Sequence, residues 1–516
     1  MAPLTTNAKV PALDELLDGT LDQIIRDFAK DGGIPGVSLT IHCHASAEGP
    51  GETVFRSYGI AHGDETITPK TQFPLCSISK TFVSLALLRL LHEHGYNEDT
   101  LVRNILPEFR LSNETDDKAR VTWAHVLSHT TGLETDSGFW AEITARGVSL
   151  YDYLAAAPCA NPPGVKFCYS NILYDLCVPA IEALAGSSVD DYLELIFFKP
   201  LDMWSTSFKA EGAGDAAEGH IRGDVGSGEP KGKAPAPGVV AFGAKAGFEA
   251  VKSPIAWKGS VGLVSCGEDM AKWLAYLPTD PYYSLASKPR TPSYDPVRPG
   301  NSILDIGEQY GLGLFAGTFH GVPYTEHWAG IAGFSGLLTT LPSLGLSVAS
   351  MSNSWEAREM GNLIVGVIVS RVLGLDVGPV IRAMTEERIA RITKDSADFE
   401  AVVGVEPSSS SHILGTYFGP GIGRLTFMDA DNVKVRPRCA DLPWLCWMYG
   451  DIRPIVAYLG EGQYAACLEF KEWGGDGSPA GAVKYGFPFR FEKVGNGDKL
   501  EVSQVYLGPP FVLHRE

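Results

Sequence analysis

The segment Cys76-Ser77-Ile78-Ser79-Lys80 opens a run, residues 71–95, that is apolar almost all the way round after Lys80. Residues three apart on a helix are neighbours, so the Ser77 hydroxyl and the Lys80 amine fall on one face and can touch. A helix N-terminus favours a developing alkoxide, and an amine held in a dry site loses its proton more easily than in water. Serine and lysine so arranged can act as nucleophile and base. An S-x-x-K match arises by chance in many chains; its position at the mouth of an apolar helix gives it weight.

A second segment, Pro163-Gly164-Val165-Lys166-Phe167-Cys168-Tyr169-Ser170-Asn171, is a turn followed by tyrosine and, two residues on, asparagine. A phenol beside an ammonium ionises below its usual range and can exchange a proton with a serine hydroxyl. A loop tyrosine is ordinarily a packing residue, and the S-x-x-K earlier in the chain reverses that reading. The third segment is His327-Trp328-Ala329-Gly330, which runs into an apolar strand. A lone histidine is ordinarily structural. Here a cation or hydrogen-bond donor at His327, with small residues after it, would let a substrate lie against the strand edge and reach backbone N–H groups.

Several elements must carry these residues. Apolar spacing predicts a helix over 13–29 and a strand over 36–44 paired with a second over 53–58. The 71–95 run is expected as the central helix, buried within its domain. Helical patterning returns at 267–276 and 360–373, and strand-like runs flank 311–314 and 336–351, giving a mixed α/β domain. Residues 209–258 dissolve into Gly, Ala, Pro and Lys and read as a long loop or lid. EPSSSSH, 406–412, reads as linker. Short alternating runs at 424–428, 464–470, 483–491 and 501–506, separated by turn residues, predict an all-β unit, a small antiparallel barrel. Trp444, Trp447, Met448 and Tyr449 are expected in its core. The division is 1–385, linker 386–412, and 413–516, with no internal repeat of fixed period.

The 516 residues are 45% hydrophobic and 20% charged, the composition of a soluble globular protein long enough for two or three domains. With 42 basic against 61 acidic residues, a net charge of −19 and no Lys/Arg cluster, nucleic acid and anionic membrane are not expected partners. No apolar run approaches the roughly eighteen residues of a membrane span. The first thirty or so residues carry acids where a signal peptide has a basic end and an apolar core, so a cytoplasmic location is expected. Nine cysteines without a C-x-x-C pair suggest neither a disulfide framework nor a zinc site, and Cys76 and Cys168 read as packing thiols. His42 and His44 share one side of a strand, the weakest form of a metal suggestion, and are expected as a surface pair; His92 and His94 point to different helix faces. No metal or cofactor is called for.

The three motifs in this order resemble the serine β-lactamase and penicillin-binding-protein superfamily, in its branch of class C β-lactamases and related esterases, D-aminopeptidases and transesterases. TWAHVLSHTTGL at 122–133 is similar to the family's LLSHTSGL stretch, IFFKPLDMWSTSF at 196–208 to IFEPLGMxxTxF, and SVGLVSCGEDM at 260–270 to GGLVSTADDL. The resemblance runs from about residue 33 to 354. It implies an α/β (α+β) fold, an antiparallel sheet flanked by helices around a central buried helix. It further implies Ser77 as nucleophile, Lys80 and Tyr169 as the proton-handling pair, Asn171 as a substrate or Lys80 contact, and an oxyanion hole at the N–H groups of Ser77 and Gly330. His327-Trp328-Ala329 stands where β-lactamases proper have Lys-Thr-Gly, a lysine that faces a substrate carboxylate. A largely neutral histidine and a bulky tryptophan there argue against β-lactams and peptidoglycan stems as preferred substrates. The Ala329 methyl either narrows the approach or is tolerated. Leu414-Gly415-Thr416-Tyr417 and Pro420-Gly421-Ile422-Gly423-Arg424-Leu425 resemble the opening of the lipocalin-like domain that walls the cleft in many hydrolases of this branch.

The expected activity is serine acyl transfer: hydrolysis of a small-molecule ester or amide through acyl-Ser77, with transfer of the acyl group to a metabolite alcohol or amine as runner-up. Non-covalent isomerase or cyclase chemistry using Lys80 and Tyr169 is more distant. A catalytically silent small-molecule-binding protein is the remaining alternative, and the complete set Ser77, Lys80 and Tyr169 argues against it.

Overall fold

The structure, a computed structural model, describes residues 13–45, 51–112, 120–133, 149–157, 159, 161–208, 216–222, 239–241, 257–293, 304–331, 333–403, 415–419, 423–429, 435–437, 452–460, 463–473, 479–494, 499–504 and 511–515. Of the expected loop or lid, only 216–222 and 239–241 are among these, apart from its last two residues, and His220–Arg222 pairs with Val239–Ala241. The stretch 406–412 and Trp444, Trp447, Met448 and Tyr449 lie outside the described residues.

A nine-stranded antiparallel sheet forms the middle layer, in the order Glu65–Thr66, Glu52–His62, Gly36–Cys43, Leu346–Ser352, Phe334–Leu341, Val322–Ile331, Phe315–Phe319, Leu304–Tyr310 and Thr291–Pro292. Strand side chains alternate between faces, and the two faces bury separate cores. Leu338, Ala349, Met351 and Ala329 join the cluster around the central helix. Leu337, Leu346, Val348, Val37, Leu39 and Ile41 join a second cluster with the terminal helices.

The N-terminal helix, Gly19–Gly32, shows how local chemistry sets these boundaries. Asp18 caps it by accepting from the N–H groups of Thr20 and Leu21, and Gly33 ends it in the left-handed region at φ 62. Leu21, Ile25 and Phe28, at i, i+4 and i+7, are its buried stripe. The central helix, Ser79–Glu93, is buried on nearly every side, Lys80 included.

Two expectations are corrected. Residues 386–403 are helix, not linker: Gly378–Val403 is one continuous helix. It is tied to the sheet domain by Arg388, which donates to Phe28 O at 2.6 Å, and by Arg391, which bridges Glu356 and Glu359 at 3.0 and 2.7 Å. His42 and His44 are no surface pair. They lie on one side of the strand as expected, ring centroids 4.8 Å apart, but are largely buried and bonded to Thr53 Oγ1 and Ser347 Oγ, each at 2.8 Å. Burial, and for His44 its neighbour His42, holds both imidazoles below their usual range, His44 at about 4.

Among the described residues of 415–515, eight strands pair antiparallel in sequence order and close, Gly415–Gly419 meeting Phe511–Arg515. Among the described residues no single helix is long and apolar enough to cross a membrane.

Candidate active site

Ser77 sits in a single 3-10 turn, Cys76–Ile78, at the mouth of the central helix. Cys76 takes a left-handed φ of 47, uncommon for a residue with a Cβ and a mark of a tightly determined turn. The turn is pinned to the segment after residue 257: Leu75 N donates to Leu263 O at 2.8 Å, Leu263 N to Ser79 Oγ at 3.1 Å, and Gln72–Pro74 pairs with Val264–Cys266.

Tyr169 is brought to Ser77 by the stretch 122–133. Thr122 and His125 form a capping box on the short helix Trp123–Leu127. Beyond it, Thr130 O accepts from Gly164 N at 2.7 Å, His129 O from Cys168 N at 2.8 Å, and His129 Nδ1 from Ser170 N at 3.1 Å. Three bonds thus fix the strand of chain on either side of Tyr169. Asn171 then opens the helix Asn171–Asp175.

Ser77 Oγ receives Tyr169 OH at 2.9 Å and Lys80 Nζ at 3.2 Å. Lys80 Nζ also donates to Asn171 Oδ1 at 2.7 Å and to the Ser260 carbonyl at 2.9 Å. Two carbonyl oxygens therefore hold two N–H bonds, and the third direction of the nitrogen faces Ser77 Oγ. An ammonium donates there, whereas a neutral amine presents its lone pair, so one geometry serves before and after a proton moves. The rings of Tyr169 and Tyr174 lie 4.9 and 5.5 Å from Nζ.

The imidazoles of His129 and His327 and the thiol of Cys76, around Lys80, are held neutral. His129 is fully buried, and burial with the nearby charge of Lys80 pushes its pKa well down. Because its Nδ1 accepts from Ser170, its proton is on Nε2, which has no partner among the described residues. Burial lifts the Cys76 thiol to about 12. His327 is driven down to about 3 by burial and Lys80. Its Nδ1 donates to Trp328 O at 2.9 Å, and its Nε2 accepts from Tyr310 OH at 3.2 Å.

This corrects the expectation of a cation or free donor at His327: both ring nitrogens are committed inside the protein. Trp328 is corrected as well. Its side chain points to the opposite face of the sheet, packs in the second core and donates Nε1–H to Glu326 Oε1 at 2.6 Å. Ala329 pairs across the strands with Gly336, where a Cβ would stand 3.3 Å from the Ala329 methyl, so the absent side chain opposite accommodates that methyl. Gly330 carries its backbone amide to the Cys76 thiol, beside Ser77. Phe315–Phe319 pairs with Leu304–Tyr310 on one side and with residues 322–326 of Val322–Ile331 on the other, so among the described strands none pairs with that outer edge past Glu326.

The sequence reading missed His129, Ser260 and Tyr310 as members of this assembly, and Asp175, whose carboxylate accepts from Ser260 N at 3.1 Å. His129 had a signal, lying in the HTTGL stretch that was noted only as resemblance. Asp175, one helical turn after Asn171, had a spacing signal. Among the described residues no group of three or more His, Cys, Asp or Glu side chains could hold a metal ion.

The family model described as Beta-lactamase matches residues 21–365. The chain belongs to the Beta-lactamase family. Its relatives include the "Unguisins hydrolase ungD'" of Aspergillus campestris, 26% identical over 386 residues, 70% of this chain and 66% of that one. "Protein flp" of Staphylococcus aureus is 29% identical over 194 residues, 37% of this chain and 38% of that one. The chain thus spans just under two thirds of the first relative's length and well under half of the second's. Among solved structures, the octameric penicillin-binding protein homologue from Pyrococcus abyssi superposes with a TM-score of 0.56 at 19% identity, over 96% of this chain and 99% of that one. That likeness is one of Beta-lactamase fold.

Proposed function

We propose that this Beta-lactamase-family chain hydrolyses a small-molecule ester or amide through an acyl-Ser77 intermediate. The observation that carries the reading is the double contact on Ser77 Oγ, from Tyr169 OH at 2.9 Å and Lys80 Nζ at 3.2 Å. In this reading Ser77 Oγ attacks the carbonyl carbon as its proton passes to the Lys80–Tyr169 pair. The oxyanion is held between the N–H groups of Ser77 and Gly330. Collapse breaks the bond to the alcohol or amine, which takes the proton back; water then attacks the acyl carbon with the same pair as base, the bond to Ser77 Oγ breaks, Oγ takes the proton from the pair, and the acid is released.

The neutral, internally bonded His327 supports substrates without a carboxylate at the position where β-lactamases proper carry a lysine. The name of the Aspergillus campestris relative, a hydrolase, favours water as the acceptor over a metabolite alcohol or amine. The opening of the C-terminal unit supports a lipocalin-like barrel.

The test is steady-state turnover across p-nitrophenyl esters, amino-acid anilides and a cephalosporin. The reading expects ester or anilide hydrolysis well above cephalosporin hydrolysis. Turnover of the cephalosporin alone, or of none of the three classes, would contradict it.

A further inference from the structure

The helix Asn171–Asp175 reaches Lys80 twice, once directly and once through backbone. Asn171 accepts from Lys80 Nζ at 2.7 Å. One turn on, the buried Asp175 carboxylate accepts from Trp257 N with Oδ2 at 3.0 Å and from Ser260 N with Oδ1 at 3.1 Å. Ser260 is the residue whose carbonyl holds Lys80 at 2.9 Å. The turn between these amides begins at Trp257 in the left-handed region, φ 83, and crosses Tyr174 so closely that a Cβ on Gly259 would stand 1.9 Å from the Tyr174 carbonyl oxygen. A buried carboxylate taking two backbone N–H bonds is held as the anion.

We propose that Asp175 is a positioning residue for the acyl-transfer step: it sets the Ser260 carbonyl against Lys80 and lends the lysine a fixed negative charge across one peptide. Both groups act on the Cys177 thiol in opposite senses, Asp175 raising its pKa and Lys80 lowering it, which puts the two charges in one neighbourhood. The other titratable groups packed around Lys80 are neutral across the working range. His129 and His327 are depressed, and Cys76, Cys177 and Tyr174 are raised, with burial the largest cause for each. Ser77 Oγ and the Tyr169 ring lie against Nζ as well. The charge of Asp175 therefore bears on the proton equilibrium of the Lys80–Tyr169 pair, since a nearby anion raises the pKa of an amine and of a phenol alike.

The inference rests on the acyl-Ser77 reading, and its test separates the two. Single-turnover acylation by a p-nitrophenyl ester is followed against pH in the wild type, Asp175→Asn and Asp175→Glu, with folding checked by circular dichroism. Asp175→Asn is expected to acylate at least tenfold more slowly, with the rising limb of the pH profile moved to lower pH. Asp175→Glu keeps the charge but displaces the turn, so its rate falls while the limb stays. A folded Asp175→Asn with an unmoved limb overturns the proposal, even if it is slow. Should Asp175→Asn fail to fold, a folded Asp175→Glu acylating at the wild-type rate overturns it, and a slowed one with an unmoved limb supports it. A wild type that never acylates, while Asp175→Asn keeps its fold, defeats the acyl-Ser77 reading and this inference with it.

Discussion

Tyr310 donates its hydroxyl hydrogen bond to Nε2 of His327 across 3.2 Å in a fully buried setting, with the other imidazole nitrogen already donating to Trp328 O. Acceptance at Nε2 requires a neutral ring, and burial with Lys80 keeps it neutral down to about pH 3.

That neutrality predicts how stability depends on pH. His327, His44 and His129 have folded-state pKa values below the unfolded value of roughly 6.5. Between about pH 3 and 6.5 the unfolded chain binds more protons at these sites, so their contribution is full above 6.5 and is lost as the pH falls. Urea midpoints should drop steadily from pH 7 to pH 4.5. A flat or rising midpoint over that interval would show that these imidazoles are charged in the fold.

Tyr310→Phe removes the donor to a buried acceptor without altering the ring. A cost of about 1–3 kcal/mol is expected from the unsatisfied His327 Nε2, read as a lower urea midpoint at pH 7 with unchanged m-value.

Arg391 lies between two buried carboxylates, Glu356 at 3.0 Å and Glu359 at 2.7 Å. Removing one partner of a buried ionic group strands the others. Arg391→Ala should therefore cost about 3–5 kcal/mol, whereas a double replacement of the glutamates by Gln alongside it should recover part of the loss. Equal melting temperatures for Arg391→Ala and the wild type would refute this.

Much of the site was legible because its residues are short-range signals. The S-x-x-K spacing, the turn before Tyr169 and the small residues after His327 each announce themselves within one helical turn or one strand. What stayed hidden depends on tertiary pairing. His129 reads as an ordinary polar residue until its Nδ1 is seen to hold Ser170 N, and Ser260 contributes a carbonyl that no side-chain pattern reveals. The face to which Trp328 points follows from strand alternation, yet which face meets Ser77 is set by the sheet order. The helix Gly378–Val403 escaped because its run of charges resembles a solvated linker. Its anchors, Arg388 and Arg391, find their partners at Phe28, Glu356 and Glu359, far away in sequence.

Tyr169→Phe keeps the ring over Lys80 and deletes the hydroxyl that meets Ser77 Oγ at 2.9 Å. General acid–base assistance is worth about 10²–10⁴ in rate, so acylation should slow by at least about a hundredfold with KM little changed. A loss confined to KM would remove Tyr169 from the proton path.

The central claim is that Ser77 carries the acyl group. Intact-mass spectrometry after brief exposure to short and long p-nitrophenyl esters, followed by peptide mapping, reads it directly. The account predicts an added acyl mass on the peptide bearing Ser77, absent from a folded Ser77→Ala. An adduct that persists in Ser77→Ala, or turnover by that variant at the wild-type rate, would contradict it.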